Sequence, residues 1–457
     1  MTHLSNYWLR TFRAMSIGLL LVIASSAFAE RPVIRRTSAQ QTVTVSKVAV
    51  TEAEATGLSL DTLVSMGLAQ NPRLAKVSFG VEAARGRATQ AGLYPNPTIG
   101  VTFDELGDKT GRGGVNTLPL ISQEFVTAGK LRLSKEAGLR EVDQATLGVM
   151  AQRYSLLANI RAAYFDALAL QTRIAILDRL VKLADKSVEQ TAQLREAGQV
   201  ARLDVAQLEV EAERLRAELE SSERELPAAY KRLAATVGLN QLALSKVEGR
   251  FDAPLPDYDL EQVQQLVLSS HPELQAAQFG VERAQLLLKR ARVEPIPNVN
   301  IDTGYVRQNQ NRSDDFRIGA SVSVPLWNRN QGNIRASEAQ LCEAMKDVNQ
   351  IENDLSERVA VAMRDFSSAR LRADRYRTAI LPRAKETYQL SRQAFQGGQF
   401  EYLRVLEAQR AVAQAYLESI RAQGDAWKAA AAISGLALED QWPLTELPVP
   451  PVPAATP

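Results

Sequence analysis

Residues 60–100 and 260–300 align without a gap at an offset of 200 positions, and 12 of the 41 pairs are identical. Average composition alone would give about two or three. Leu60, Leu68, Pro72, Leu74, Phe79, Gly80, Val81, Glu82, Ala84, Ala91, Pro95 and Pro97 all recur. The offset returns downstream, where Gly198-Gln199 matches Gly398-Gln399, Leu203 matches Leu403 and Val205 matches Val405. The chain is therefore a duplication of one unit of about 200 residues. That excludes the set of unrelated domains that 457 residues would otherwise allow.

Each unit reads in the same order. Asn71-Pro72 and His271-Pro272 pair a polar capping residue with proline at the first helical position. The short helices they open must end before Pro95 and Pro295. Two-residue alternation follows, with Ile99, Val101 and Phe103 on one face in the first unit and Val299, Ile301 and Thr303 in the second. Phe316, Ile318, Ala320, Val322 and Val324 form the apolar face of a return strand, opposite Arg317, Gly319, Ser321 and Ser323. The first-unit return, near Thr117 to Phe125, is less regular and holds Pro119. Polar loops are expected at Glu105 to Gly114 and Gln308 to Asp315.

The period then changes. Lys130 to Ala197 contains no proline and places Leu156, Ile160, Leu168, Ile174, Leu177 and Leu180 at helical spacing. At 1.5 Å per residue this is roughly 100 Å of helix. After Gly198 a returning helix carries Val205, Leu208, Ala212, Leu215, Leu219, Ser222 and Leu226 in steps of three and four, a coiled-coil seam. The expected organisation is a leader over 1–29, an extended segment over 30–57, repeat 1 over 58–250, repeat 2 over 251–438 and a proline-rich tail over 439–457. Within repeat 1 the hairpin spans about 98–126 and the long helices 130–197 and 200–238; within repeat 2 they span about 298–326, 331–396 and 400–435. The tails read as extended segments packed along the outside of a barrel.

The leader carries Arg10 and Arg13, the apolar run Met15 to Ile23, and Ala27-x-Ala29 before Glu30. This is the order of a cleaved secretory signal, and the run is half the length a spanning helix needs. No cysteine lies near the cut to carry a lipid. Without the leader the chain holds 52 basic and 52 acidic residues, so nucleic acid is not an expected partner. With one cysteine in the chain, disulfide scaffolds and cysteine-rich zinc folds are excluded.

An exported chain without a later spanning helix can enter a membrane only as a barrel. Four strands are too few, because membrane barrels need eight or more and open edges in lipid leave backbone groups unsatisfied. Two solutions stay open: several chains share one barrel, or the strands form a soluble cap on a coiled-coil scaffold that binds partners in the periplasm.

Two junctions between strand and helix carry a resemblance. Ile121-Ser-Gln-Glu-Phe-Val-Thr-Ala-Gly-Lys130 and Val322-Ser-Val-Pro-Leu-Trp-Asn-Arg-Asn-Gln-Gly332 resemble the TolC-like outer-membrane factors, most of all their cobalt-zinc-cadmium resistance branch. The resemblance spans the whole mature chain. It implies a mainly α fold with a small β part: a long helical coiled-coil barrel plus four strands per protomer in a shared twelve-stranded trimeric barrel. It implies a homotrimeric duct in the outer membrane of a Gram-negative bacterium, working with a periplasmic membrane-fusion adaptor and an inner-membrane RND pump. The exported cargo would be divalent heavy-metal cations, with drugs or secreted polypeptides as the alternative. Outer-membrane lipid would meet Ile99, Val101, Phe103, Val299, Ile301, Ile318, Val322 and Val324.

The resemblance places the adaptor-contacting tips at Gly198, Gln199, Leu203, Gly398, Gln399 and Leu403. In the family an aspartate six residues after the first tip glycine latches the closed tunnel to a tyrosine three residues before the second. Asp204 fits, but Phe395 cannot form that hydrogen bond. Glu407 fits the acidic constriction after the second tip, where Arg404 replaces a further acid, leaving an Arg404–Glu407 pair at i,i+3 as a substitute.

No catalytic residues, cofactor or resident metal are expected. His271 matches Asn71 in the other repeat, which points to capping. Gly107, Gly111, Gly113 and Gly114 lack the lysine and hydroxyl of a phosphate loop, and Cys342 reads as a small packing residue on a long helix. Met66, Met150, Met345 and Met363 are too scattered for a thioether metal site.

Overall fold

A computed structural model of the chain describes residues 58–105, 114–240, 246–397 and 402–443. The leader, the 30–57 segment, the glycines at 107, 111 and 113, the tip residues Gly398 and Gln399, and the tail beyond 443 lie outside the described residues. The elements run α1 (Leu60–Gln70), α2 (Pro72–Ala91), β1 (Thr98–Asp104), β2 (Val115–Phe125), α3 (Lys130–Glu196) and α4 (Arg202–Val237) in the first half. The second half repeats them as α5 (Leu260–Ser270), α6 (Pro272–Val293), β3 (Val299–Gln308), β4 (Ser313–Val322), α7 (Gln331–Arg375), α8 (Leu381–Gln396) and α9 (Tyr402–Leu436).

The repeated caps act as the repeat requires. Asn71 Oδ1 accepts the Arg73 N–H at 2.9 Å, and His271 Nδ1 accepts the Glu273 N–H at 3.3 Å. Each satisfies a backbone donor that the first helical turn leaves without a partner. Burial lowers the His271 pKa; Glu273 opposes that shift and Arg358 adds to it. A neutral imidazole can accept at Nδ1, so the cap and the shift agree.

α3 is a single helix of 67 residues, and α4 returns along it, continuing through Pro227. The seam residues Val205, Leu208, Ala212, Leu215 and Ser222 are buried, while Leu219 and Leu226 are partly buried against the packed clusters. The second long helix departs from the single segment expected over 331–396. α7 ends at Arg375, a π turn covers Tyr376–Ile380, and α8 begins with Pro382 in its first turn. A proline in a continuous helix clashes with the carbonyl four residues before it. The π turn ends immediately before α8, so Pro382 occupies a helix start, and the long helix passes it with a local widening.

The main core gathers α1, α3, α4, α5, α7 and α9, where Ile160, Leu233, Val263, Leu355 and Trp427 are fully buried. Phe165 of α3 stacks on Trp427 of α9 at 4.3 Å between centroids. Each such side chain contributes about 1.5–3 kcal/mol by burial. The start of the tail belongs to this core and does not run along the outside of a barrel: Trp442 is buried edge-on to Phe165 and Trp427. Trp442 Nε1 donates to the Tyr258 hydroxyl at 3.0 Å. The prolines of the tail gave an extended reading, but a tryptophan at its start is held by the aromatic pair it meets. Cys342, expected to pack, is exposed, because no element among the described residues covers that face of α7.

The four strands form one antiparallel sheet in the order β1-β2-β3-β4. β2 and β3 pair across the boundary between the repeats, and β1 and β4 are its edges. The irregularity expected around Pro119 is a bulge between Thr117 and Leu120, which lets a residue without an N–H sit inside a strand. The second loop is tighter than expected, since Arg307 pairs with Asp314 and Gln308 with Ser313.

Candidate functional site: the sheet and the helix tips

Register assigns the faces of the sheet, since directly paired antiparallel residues point the same way. One face carries the row Ile99, Ile121, Thr303, Ile318 and the row Phe125, Val299, Val322. The other carries Thr98, Ser122, Asp302, Gly319 and the row Glu124, Asn300, Ser321. The apolar face is open: Ile99 is 74% exposed, Phe316 and Ile318 are each 73% exposed, and Val101, Phe103, Ile301, Val322 and Val324 are exposed as well. Val299 is half-buried. At the hairpin end of this face the aromatic pair Tyr305 and Phe316 precedes the ion pair Arg307–Asp314, 2.5 Å apart. An apolar band bounded by aromatic and then charged residues has the pattern of a membrane-facing barrel strand. No helix among the described residues is long and apolar enough to cross a membrane.

The long helices carry the chain away from this sheet to the turn between α3 and α4. Gly198 adopts φ 73° there. Its N–H donates to Arg195 O and the Gln199 N–H to Leu194 O, each at 2.9 Å. These paired bonds close a helix end around a left-handed residue, a conformation glycine adopts without steric cost. Asp204 caps the next helix by accepting the Ala201 N–H at 3.0 Å, and Leu203 is exposed beside it.

The ends of α8 and α9 lie against this turn. Gln199, Leu203, Asp204, Phe395 and Leu403 line one cleft of about 1130 Å³, so five residues singled out in the sequence share a wall. Phe395 packs edge-on against Tyr402 at 5.1 Å. The Tyr402 hydroxyl hydrogen-bonds Thr191 and feels the nearby charge of Asp204. Burial raises the Tyr402 pKa, so this phenol stays neutral. Sequence reasoning missed Tyr402, Thr191 and Gln409, since their meeting depends on packing between α3 and α9. Arg404 and Glu407 are exposed on successive turns of α9.

Farther along the helices Glu211 of α4 is buried and accepts from Arg410 of α9 at 2.8 Å, joining the two repeats. No group of three or more His, Cys, Asp or Glu side chains among the described residues is placed to hold a metal ion.

Comparisons with known proteins agree with this architecture. The family model "Outer membrane efflux protein" matches residues 63–239 and 263–437, one match for each repeat. The chain is 25% identical over 422 residues to the cobalt-zinc-cadmium resistance protein CzcC of Cupriavidus metallidurans, covering 92% of this chain and 97% of that protein. It is 26% identical over 310 residues to the nickel-cobalt-cadmium resistance protein NccC of Alcaligenes xylosoxydans xylosoxydans, covering 66% and 69% of the two chains. The solved outer membrane protein VceC from Vibrio cholerae superposes with a TM-score of 0.69 at 19% identity, over 83% of this chain and 95% of that one. The duplicated helical hairpins, the four-stranded sheet and the matched residues together make this chain a member of the outer membrane efflux protein family.

Proposed function

We propose that this chain is the outer-membrane duct of a tripartite exporter, assembled as a homotrimer, that passes divalent heavy-metal cations from the periplasm to the exterior. The carrying observation is the sheet: an exposed apolar face, a polar opposite face and two open edges on strands that lead into a 67-residue helix. Three such sheets joined edge to edge close a barrel of twelve strands and leave no unsatisfied backbone in lipid. The polar faces then line the lumen. Each brings Asp104, Glu124, Asp302 and Asp315 against Arg317, a net negative wall that attracts cations. Metal cargo is supported by the names of the relatives, CzcC and NccC.

Conduction is passive and involves no bond chemistry. The inner-membrane RND pump supplies the drive, and the membrane-fusion adaptor docks at the tips, at Gly198, Gln199 and Leu203 and at their counterparts Gly398, Gln399 and Leu403. The closed end is held near Asp204, Phe395, Arg404 and Glu407, with Tyr402 supplying the hydroxyl. Deleting the gene tests the cargo. Growth inhibition at lower zinc, cobalt or cadmium, restored by the intact gene, is expected; unchanged metal tolerance together with drug hypersensitivity would assign the duct to another cargo.

A further inference from the structure

A buried carboxyl fastens the chain where it leaves α9. Leu438 turns the backbone with φ 61°, and the Glu439 N–H donates back to Ser434 O at 3.0 Å. Asp440, Gln441 and Pro443 are exposed, so two buried side chains, Glu439 and Trp442, anchor this segment. Both meet Tyr258, which lies between α4 and α5. Its hydroxyl donates to Glu439 Oε2 at 3.1 Å and accepts from Trp442 Nε1 at 3.0 Å. Tyr258 is held in turn by Phe366 of α7, edge-on at 5.4 Å between centroids.

Arg161 of α3 staples the same segment from the other side. Its guanidinium stands over the Trp442 ring at 5.2 Å and donates to Ser434 Oγ and to the carbonyls of Glu439 and Asp440. None of these bonds reaches the Glu439 carboxyl, whose Oε1 is buried without a hydrogen-bond partner among the described residues. The neighbouring charges lie farther out. Asp61 of α1 and Asp440 act on Arg161, and Asp440 is paired with Arg153 at 2.9 Å and bonded by the Tyr154 hydroxyl at 3.5 Å. Arg161 and Tyr258 favour an ionised Glu439, and burial outweighs them.

The geometry suits a carboxyl that keeps its proton. A full charge buried with one oxygen unpartnered costs far more than a neutral group in the same place. An ionised Glu439 has two ways to recover that cost. If Arg161 turns its donors to the carboxylate, the bonds to Ser434 and to the two carbonyls are lost. If the carboxylate reaches water instead, Glu439 leaves Tyr258. Either route strips contacts that hold residues 438–443 in place.

We propose that Glu439 is a proton-operated clasp: with its proton it fastens residues 438–443 across Tyr258 and Arg161, and without it the segment lifts and Trp442 uncovers the Phe165–Trp427 ring stack. The opening is local. Ile160, Leu233, Val263 and Leu355 are fully buried among other elements of the core, so the helices stay packed while the segment moves.

Tryptophan fluorescence reads this directly. With Trp8 and Trp327 replaced by phenylalanine, Trp427 and Trp442 are the remaining tryptophans. Between pH 5.5 and 8.5 the emission of the detergent-extracted protein should move to longer wavelength, centred on about pH 7. Acrylamide quenching should rise about two-fold as one of the two buried indoles opens to water. Far-UV circular dichroism should stay constant through the change. Glu439→Gln should keep the low-pH emission throughout, and Glu439→Met, equally neutral, repeats the test should the glutamine variant fold poorly. An emission that does not move in the parent protein, a Glu439→Gln protein that titrates like its parent, or a parallel loss of helix would overturn the clasp. The readout is the same for one chain or three, so its failure is distinct from failure of the shared barrel.

Discussion

The Tyr258 hydroxyl donates to the Glu439 carboxylate at 3.1 Å, tying the segment between the repeats to the residues that follow α9. Arg161, buried beside them, spends its donors elsewhere: on Ser434 Oγ at 2.9 Å and on the Glu439 and Asp440 carbonyls at 2.9 and 3.0 Å. The carboxylate is thus buried with its second oxygen lacking a hydrogen-bond partner in the protein. Burial raises its pKa to about 7, against the lowering effects of Tyr258 and Arg161.

A carboxyl with a raised pKa holds its proton more tightly in the folded chain than in the unfolded one, so folding loses stability as pH rises. The loss begins near the unfolded value, grows through pH 7 and is then complete, at roughly 3 kcal/mol. Glu439→Gln should flatten this slope and raise thermal stability at pH 8. Circular dichroism melts of the detergent-solubilised protein between pH 5 and 8 measure it, and an unchanged slope would mean that Glu439 is ionised in the fold.

His271 shows the opposite sign. Its depressed pKa makes protonation costly, so its contribution to stability is present above the unfolded value and lost as pH falls below it. His271→Asn copies the other repeat and should preserve stability at neutral pH while removing the acid sensitivity. His271→Ala should cost about 1 kcal/mol, the worth of a helix cap. Equal melts for the two variants would show that the cap contributes nothing.

Two left-handed glycines should respond differently to alanine. Gly198 has open space around it, so Gly198→Ala should cost about 1–2 kcal/mol of local stability from the backbone alone. Gly238, at φ 98°, would place a Cβ 2.7 Å from Pro72 and 3.0 Å from Asn71. Gly238→Ala should therefore lose about 1–3 kcal/mol more. Chemical unfolding that ranks the two variants in the reverse order would contradict the close approach.

At the tips, Tyr402→Phe removes the hydroxyl that bonds Thr191, and Glu407→Ala removes an exposed acid from α9. If this end of the duct restricts flow, both should raise single-channel conductance in planar bilayers, with the Glu407 change also lowering cation selectivity. Wild-type conductance in both variants would place the restriction elsewhere.

Much of this architecture was legible because each signal was local. The two Asn/His-Pro caps sit at the helix starts where they were read, and the two-residue alternation of Phe316 to Val322 is the apolar face of β4. What escaped depends on contacts between distant segments. Trp442 is held by Phe165 and Trp427, nearly 280 and 15 positions away, which no pattern in a proline-rich tail discloses. Pro382 is absorbed by a widened turn whose need is visible only once the helix is built through it. Tyr402 lies against Phe395 because packing between α8 and α9 brings the two rings together. Cys342 reads as a packing residue since helical spacing shows which residues share a face but not whether that face is covered.

The mass of the detergent-extracted outer-membrane protein tests the central claim most directly. Three chains in one heat-sensitive species, recovered from the outer-membrane fraction and requiring detergent, is the result the shared barrel predicts. A single chain or dimer that stays in solution without detergent would contradict it, because the open edges and bare apolar face of the sheet would then have no membrane to meet.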